Sequence, residues 1–215
     1  MPPRVAVLIS GRGSNMSALI AASRFEQYPA TISLVISNRL EAPGVALAQE
    51  AGVKSAVIVG RSFPDRLSYD KALDETLRSA NISIICLAGF MRILTPWFVG
   101  RWLGKIINIH PSILPAYKGL NTHERALQDC VRIHGCSTHF VTPELDAGPI
   151  IMQAAVAVAP DDTIETLAAR VLEREHAIYP LSLSLVASGA AMLKEGKCVI
   201  RGAKPREGSL IAPAF

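Results

Sequence analysis

The strongest chemical signal in the sequence is a pair of polar residues, Asn108 and His110, at the end of an apolar run. Side chains alternate along an extended strand, so both project to one face. Pro111 follows and keeps His110 extended, because the residue before proline avoids the helical region. An amide beside an imidazole can donate hydrogen bonds to an oxygen that gains charge, and the imidazole can also carry a proton. Asp146 lies in the turn Leu145-Asp146-Ala147-Gly148-Pro149. If the fold brings it to His110, its charge orients the ring and favours the imidazolium.

A second candidate is the glycine-rich turn Gly11-Arg12-Gly13-Ser14-Asn15, which leads into a helical pattern. Free N–H groups and the dipole at a helix start suit a phosphate, with Ser14, Asn15 and Arg12 as side-chain donors. On this loop alone, a tight turn with a helix cap is the alternative. Met16 stands where a dinucleotide fingerprint has its third glycine, and the second strand ends at Asn38 with no acid for a ribose. Both features argue against a dinucleotide, and the Walker pattern is absent. Glu175 follows Ile164, Leu167, Ala168, Val171 and Leu172 at helical spacing. Its carboxylate therefore sits on or beside the inward stripe, where it needs a polar partner. Cys130, His134, Cys136 and His139 resemble a metal cluster, but strand alternation puts His139 on the face opposite His134 and Cys136. Their spacing matches no common zinc pattern, so no metal is expected.

The elements that must position these residues alternate. Apolar runs at Val5–Ile9, Ile32–Ile36, Ala56–Val59, Ile82–Leu87 and Ile106–Ile109 predict strands. Between them fall helical patterns from Ser14, over Pro43–Ala51, and over Asp65–Ala80 with Leu67, Ala72, Leu73 and Leu77 as core positions. Strands apolar on both faces imply a mostly parallel sheet with helices on each side. Thr138–Val141 and Ile150–Val158 predict antiparallel additions at the sheet edge. A long helix should start at Asp162, with Glu165 at capping-box spacing, and run toward Pro180; a turn and short strand follow over Lys194–Arg201. Ligands in such sheets bind beyond the carboxyl ends of the strands. That rim carries Gly11–Asn15, Asn38-Arg39, Gly89-Phe90-Met91-Arg92 and Asn108-Ile109-His110.

The 215 residues, half of them hydrophobic and 19% charged, suit one α/β domain spanning 1–215 and argue against disorder. No apolar run approaches the ~20 residues of a membrane helix, and no signal peptide is evident, so a cytoplasmic protein is expected. The four cysteines form no C-x-x-C pair, which fits a reducing compartment. A net charge of +4 favours anionic ligands but is too mild and scattered to imply nucleic-acid binding.

Four segments together resemble the phosphoribosylglycinamide formyltransferases, folate-dependent enzymes of purine biosynthesis. They are Gly11–Asn15, Ala88–Leu94, Asn108–Pro115 and Glu175–Pro180, and the resemblance covers nearly the whole chain. It implies a Rossmann-like formyltransferase fold and transfer of a formyl group from 10-formyltetrahydrofolate to the amine of glycinamide ribonucleotide. By position, Asn108, His110 and Asp146 match the family's catalytic trio, Gly13, Ser14, Asn15 and Glu175 its ribonucleotide contacts, and Arg66 with Met91, Arg92, Ile93 and Leu94 its folate contacts. The resemblance also counts Asn108 among the folate contacts. Small molecules are the implied partners, with no nucleic acid and no membrane, and a homodimer is left open. Arg12 and Asn121 stand where relatives often have asparagine and histidine, and Ala147 where glycine is common. Methionyl-tRNA formyltransferase shares the trio but carries a further carboxy-terminal domain, whereas little sequence follows Pro180 here. Formyltetrahydrofolate hydrolase usually carries an amino-terminal regulatory domain, whereas the first strand here begins at Val5.

Overall fold

A computed structural model of the chain describes residues 1–202 and 212. Five strands run parallel: β1 (Arg4–Ile9), β2 (Thr31–Ser37), β3 (Ser55–Val57), β4 (Ile84–Leu87) and β5 (Ile106–His110). Two more, β6 (Ile133–Phe140) and β7 (Ile150–Ala157), add antiparallel at one edge, giving the order β3-β2-β1-β4-β5-β6-β7. The expected mostly parallel sheet with antiparallel additions in the carboxy-terminal half is therefore the observed one.

Alternation along β1 shows why helices cover both faces. Val5, Val7 and Ile9 pack with Met16, Leu19 and Ile20 of α1 (Ser14–Ser23) and with Leu167, Val171 and Tyr179 of α6 (Ile164–Ala187). Ala6 and Leu8 face the other way, against Tyr69, Leu73 and Leu77 of α3 (Arg66–Ser79) and Phe98 and Val99 of α4 (Pro96–Arg101). The chain goes from β1 outward to β2 and β3, then crosses back to β4 on the other side of β1. That reversal opens a crevice at the carboxyl ends of β1 and β4.

Several expectations change. Leu67 is 39% exposed, and α3 instead buries Asp70 and Asp74. Asp70 Oδ2 accepts from the Thr95 N–H (2.7 Å) and hydroxyl (2.6 Å), while its Oδ1 is buried without a partner, and Asp74 accepts from Trp102 Nε1 (2.9 Å) and pairs with Arg101 at 3.2 Å. The cap of α6 is Thr163 with Thr166, not Asp162 with Glu165. Asp162 instead binds Arg170 through both carboxylate oxygens at 2.7 Å, which holds its carboxyl well below the ordinary range. The helix also runs on through Pro180 to Ala187, because Tyr179, Ser182 and Leu183 are buried and reward its continuation. The segment Lys194–Arg201 forms the second half of a hairpin, β8 (Ala191–Lys194) with β9 (Lys197–Ile200). Two short helices carry no clear sequence signal: α4, and α5 (Thr122–Gln128). The remaining helix, α2 (Pro43–Glu50), starts at proline as expected.

Candidate active site

A cleft of about 1120 Å³ lies over the carboxyl ends of β1, β4 and β5, closed on one side by α6 and on another by the 141–146 loop. Gly11 to Asn15, Met91 to Leu94, Asn108, His110, Asp146 and Glu175 all line it. Arg66 does not: it is exposed at the first residue of α3, one turn before Tyr69.

The turn into α1 depends on glycine. Gly13 has φ +80, and a Cβ there would sit 2.9 Å from the Cα of Gly44 at the start of α2. The two backbones meet where no side chain fits. No side chain caps α1, so its first N–H groups stay open toward the cleft. Asn15 Nδ2 donates to Glu175 Oε2 at 2.6 Å, while Asn15 Oδ1 is buried with no partner. Glu175 is 7% exposed; burial pushes its carboxyl up, and the Asn15 hydrogen bond opposes that rise. Across the mouth of the glycine-rich turn stands a desolvated carboxyl that can accept hydrogen bonds.

A different surface faces the loop after β4. Met91 N–H donates to the Ser10 hydroxyl at 2.7 Å, and Thr95 N–H is taken by Asp70. Between them, the backbone groups of Arg92, Ile93 and Leu94 have no backbone partner among the described residues. A run of free donors and acceptors beside Leu87, Phe90 and Val141 makes a slot for a flat, polar-edged ring. Arg92 stacks on the Tyr69 ring at 4.0 Å.

The floor of the cleft is β5. Asn108 and His110 lie two apart on one face, and the antiparallel register of β6 sets His139 directly opposite Asn108. His139 Nδ1 lies 2.9 Å from the Phe140 carbonyl, which can only accept, so Nδ1 carries the hydrogen. Burial lowers the pKa of this ring, leaving Nε2 as a bare acceptor. Asn108 Nδ2 donates to it at 3.2 Å, which fixes the amide in the cleft lining and leaves a second N–H on Nδ2 to donate elsewhere. Sequence reasoning set His139 aside as part of a false metal cluster, since its facing matters only once the strand register is known. Asp146 arrives from the other side in a left-handed conformation, φ +47. Its Oδ2 accepts from Gly119 N–H at 2.9 Å and lies 3.4 Å from His110 Nδ1, and Oδ1 is 3.8 Å from His139 Nε2. His110 Nε2 donates to the Tyr117 carbonyl at 2.9 Å. Ala147 is outside the left-handed region, so the side chain there costs no strain, whereas a Cβ at Gly148 would collide with the Phe140 carbonyl. Asn121 lines the cleft at the α5 cap without a capping side-chain bond.

Behind the floor, His134 is 1% exposed and its Nε2 lies 3.2 Å from His123 Nδ1. Burial, reinforced by the His123 ring, pushes its pKa down to about 4. The unfolded chain takes up that proton near pH ~6.5, so stability is full above this value. It should fall by about 2–3 kcal/mol as pH drops from about 6.5 to about 4. His134→Gln should flatten this part of the profile, measured by urea unfolding at several pH values. An unchanged acid slope in the variant would exclude His134 as its source.

Three comparisons bear on this geometry. The family described as formyl transferase matches residues 3–183. Phosphoribosylglycinamide formyltransferase of Haemophilus influenzae is 43% identical over 206 residues, covering 95% of this chain and 97% of that protein. The human trifunctional purine biosynthetic protein adenosine-3 is 50% identical over 192 residues, but the matched part is only 19% of its length. The crystal structure of glycinamide ribonucleotide transformylase 1 from Symbiobacterium toebii superposes with a TM-score of 0.90 at 40% identity, covering 93% of this chain and 94% of that one.

Proposed function

Since the chain belongs to the formyl transferase family, we propose that it transfers the formyl group of 10-formyltetrahydrofolate to the amine of glycinamide ribonucleotide, a step of purine biosynthesis. The products are formylglycinamide ribonucleotide and tetrahydrofolate. The observation that carries this reading is the convergence of Asn108, His110, His139 and Asp146, at 3.2 to 3.8 Å from one to the next, between the phosphate-type turn and the open backbone of 92–94. The named relatives at 43% and 40% identity, matched over nearly their whole length, support the same substrates.

10-Formyltetrahydrofolate supplies the formyl group. The chain supplies binding, a donor and a proton path. The free backbone of Arg92, Ile93 and Leu94, with the apolar wall beside it, fits the pteridine ring. The α1 start, with Gly13, Ser14 and Asn15, takes the phosphate of the ribonucleotide, and Glu175 accepts from its hydroxyls. Asn108, held by His139, donates its second N–H to the carbonyl oxygen under attack. The attacking group is the substrate amine, so no protein nucleophile is needed. His110 and Asp146 take the proton that the amine must lose and pass it, through water, to the folate nitrogen that leaves as its bond to the formyl carbon breaks. Because His110 Nε2 is bound to Tyr117, its service to the substrate requires exchanging that carbonyl for a substrate oxygen.

The reading takes residues 1–215 as a single formyltransferase domain, supported by two core clusters built on one sheet. Its partners are the two small molecules and no nucleic acid. No helix among the described residues is long and apolar enough to cross a membrane. A cytoplasmic site fits the four free thiols.

The test is an acceptor panel. Purified chain and 10-formyltetrahydrofolate should form formylglycinamide ribonucleotide, with water and initiator tRNA far slower as acceptors. Preferential turnover on tRNA or water would overturn the reading. Arg66, at the outer end of the α3 turn that carries Tyr69, is read as attracting the anionic glutamate tail. Arg66→Ala should raise the folate KM several-fold, more at low than at high salt, with kcat nearly unchanged. An unaltered folate KM at every ionic strength would remove Arg66 from the site.

A further inference from the structure

Arg39 lines the cleft, yet nothing above gives it work. It follows β2 by two residues, and the parallel register pairs Ile9 with Ser37. The segments that follow these partners leave adjacent strands side by side, so Arg39 emerges on the same rim of the cleft as Gly11 and Arg12. Two backbone bonds tie the segments together: Asn38 N–H to the Ile9 carbonyl at 3.3 Å, and Gly44 N–H to the Gly11 carbonyl at 3.1 Å. Arg39 is also fixed at its root. The Ser37 hydroxyl, fully buried, accepts from Arg39 N–H at 3.0 Å and donates to the Arg39 carbonyl at 2.7 Å.

The guanidinium itself is exposed and has neither a hydrogen bond nor an ion pair among the described residues, and the same holds for Arg12. The other wall near this end, formed by Ala168, Leu172 and Glu165 of α6, offers no cation. Two guanidinium groups without partners among the described residues therefore line the same cleft as the open N–H groups of α1, with Glu165 and Glu175 as the opposing charges on α6. A single helix start supplies only about half a unit of positive charge. A phosphate monoester carries close to two negative charges, and guanidinium is suited to meeting its oxygens in pairs.

We propose that Arg39 closes a two-arginine clamp with Arg12 on the phosphate of the acceptor, and that Arg39 sets the preference for a phosphorylated acceptor over its dephosphorylated counterpart. The proposal rests on the ribonucleotide reading above and deepens it. Ser37 is then the residue that aims the clamp, through the backbone of Arg39.

The test compares wild type with Arg39→Ala, Arg39→Gln and Arg39→Lys. Acceptor Kd is read by calorimetry without folate, and KM and kcat are read for glycinamide ribonucleotide and for the riboside lacking its phosphate. Loss of one charge-assisted hydrogen-bonding partner should weaken ribonucleotide binding about 10–100-fold. The alanine and glutamine variants should show this loss in Kd and KM, with kcat, the folate KM and all constants for the riboside within about threefold of wild type. Lysine should recover part of the affinity, because the charge returns without the fork. Inorganic phosphate should inhibit wild type more strongly than the alanine variant. Unchanged ribonucleotide affinity in Arg39→Ala, or an equal loss with the riboside, would overturn the clamp. A wild-type chain that fails to formylate glycinamide ribonucleotide would instead overturn the functional reading, so the two failures are distinguishable.

Discussion

Replacing Asp146 by asparagine should lower kcat by about 10²–10⁴-fold, the usual worth of a positioned acid or base. The amide keeps the shape of the carboxylate, and its oxygen can still accept the Gly119 N–H that Asp146 accepts at 2.9 Å. The 117–119 segment should therefore stay in place, and both ligands should bind with constants within a few-fold of wild type. What the variant loses is the carboxylate facing His110 Nδ1 at 3.4 Å, and with it the ability to hold a proton there. Calorimetric binding of each ligand, measured beside steady-state kcat, separates the two effects. A binding loss that matches the loss in kcat would make Asp146 a scaffold of the loop.

Asn108→Ala should cost about 10²–10³-fold in kcat, the range found when one donor to a developing oxyanion is removed. Its KM values should move little, because the donor acts on charge that appears during the reaction. His139 gives a control on how Asn108 works. His139→Leu removes the acceptor 3.2 Å from Asn108 Nδ2 and should lose part of the same factor, while His139→Gln, whose side-chain oxygen can also accept, should recover some of it. In an Asn108→Ala background the His139 substitution should add little. A full additional loss there would mean that His139 acts on the substrate in its own right.

The path from sequence to this site was uneven for physical reasons. A short apolar run at Val5–Ile9 closed by Ser10-Gly11 reads as a buried strand, and Met16, Leu19 and Ile20 at helical spacing fix the face of α1, so the first βα unit is legible in both type and orientation. Asn108 and His110 were legible as a pair because alternation is local. His139 was not, because its approach to Asn108 depends on a pairing of strands whose partner residues lie 31 apart in sequence. The helix beyond Pro180 is not legible in the sequence, because the burial of Tyr179 and Leu183 overrules a local breaker. Leu67 departs from its expected burial for the opposite reason. An amphipathic count favours leucine over aspartate as core, whereas the Thr95 and Trp102 partners, with Arg78 and Arg101 beside Asp74, are what make Asp70 and Asp74 buriable. Arg39 shows a third kind of limit: it was seen on the rim, but its relation to Arg12 follows from the β1–β2 register.

We propose that His110 and Asp146 act as one unit on the proton of the attacking amine. The most direct measurement is kcat for Asp146→Asn, His110→Asn and the variant carrying both, under conditions that saturate both ligands. The account predicts similar large losses in the two single variants and little further loss in the double, since residues that work as a unit are not additive. Losses that multiply in the double variant, or near-wild-type turnover in Asp146→Asn, would contradict it.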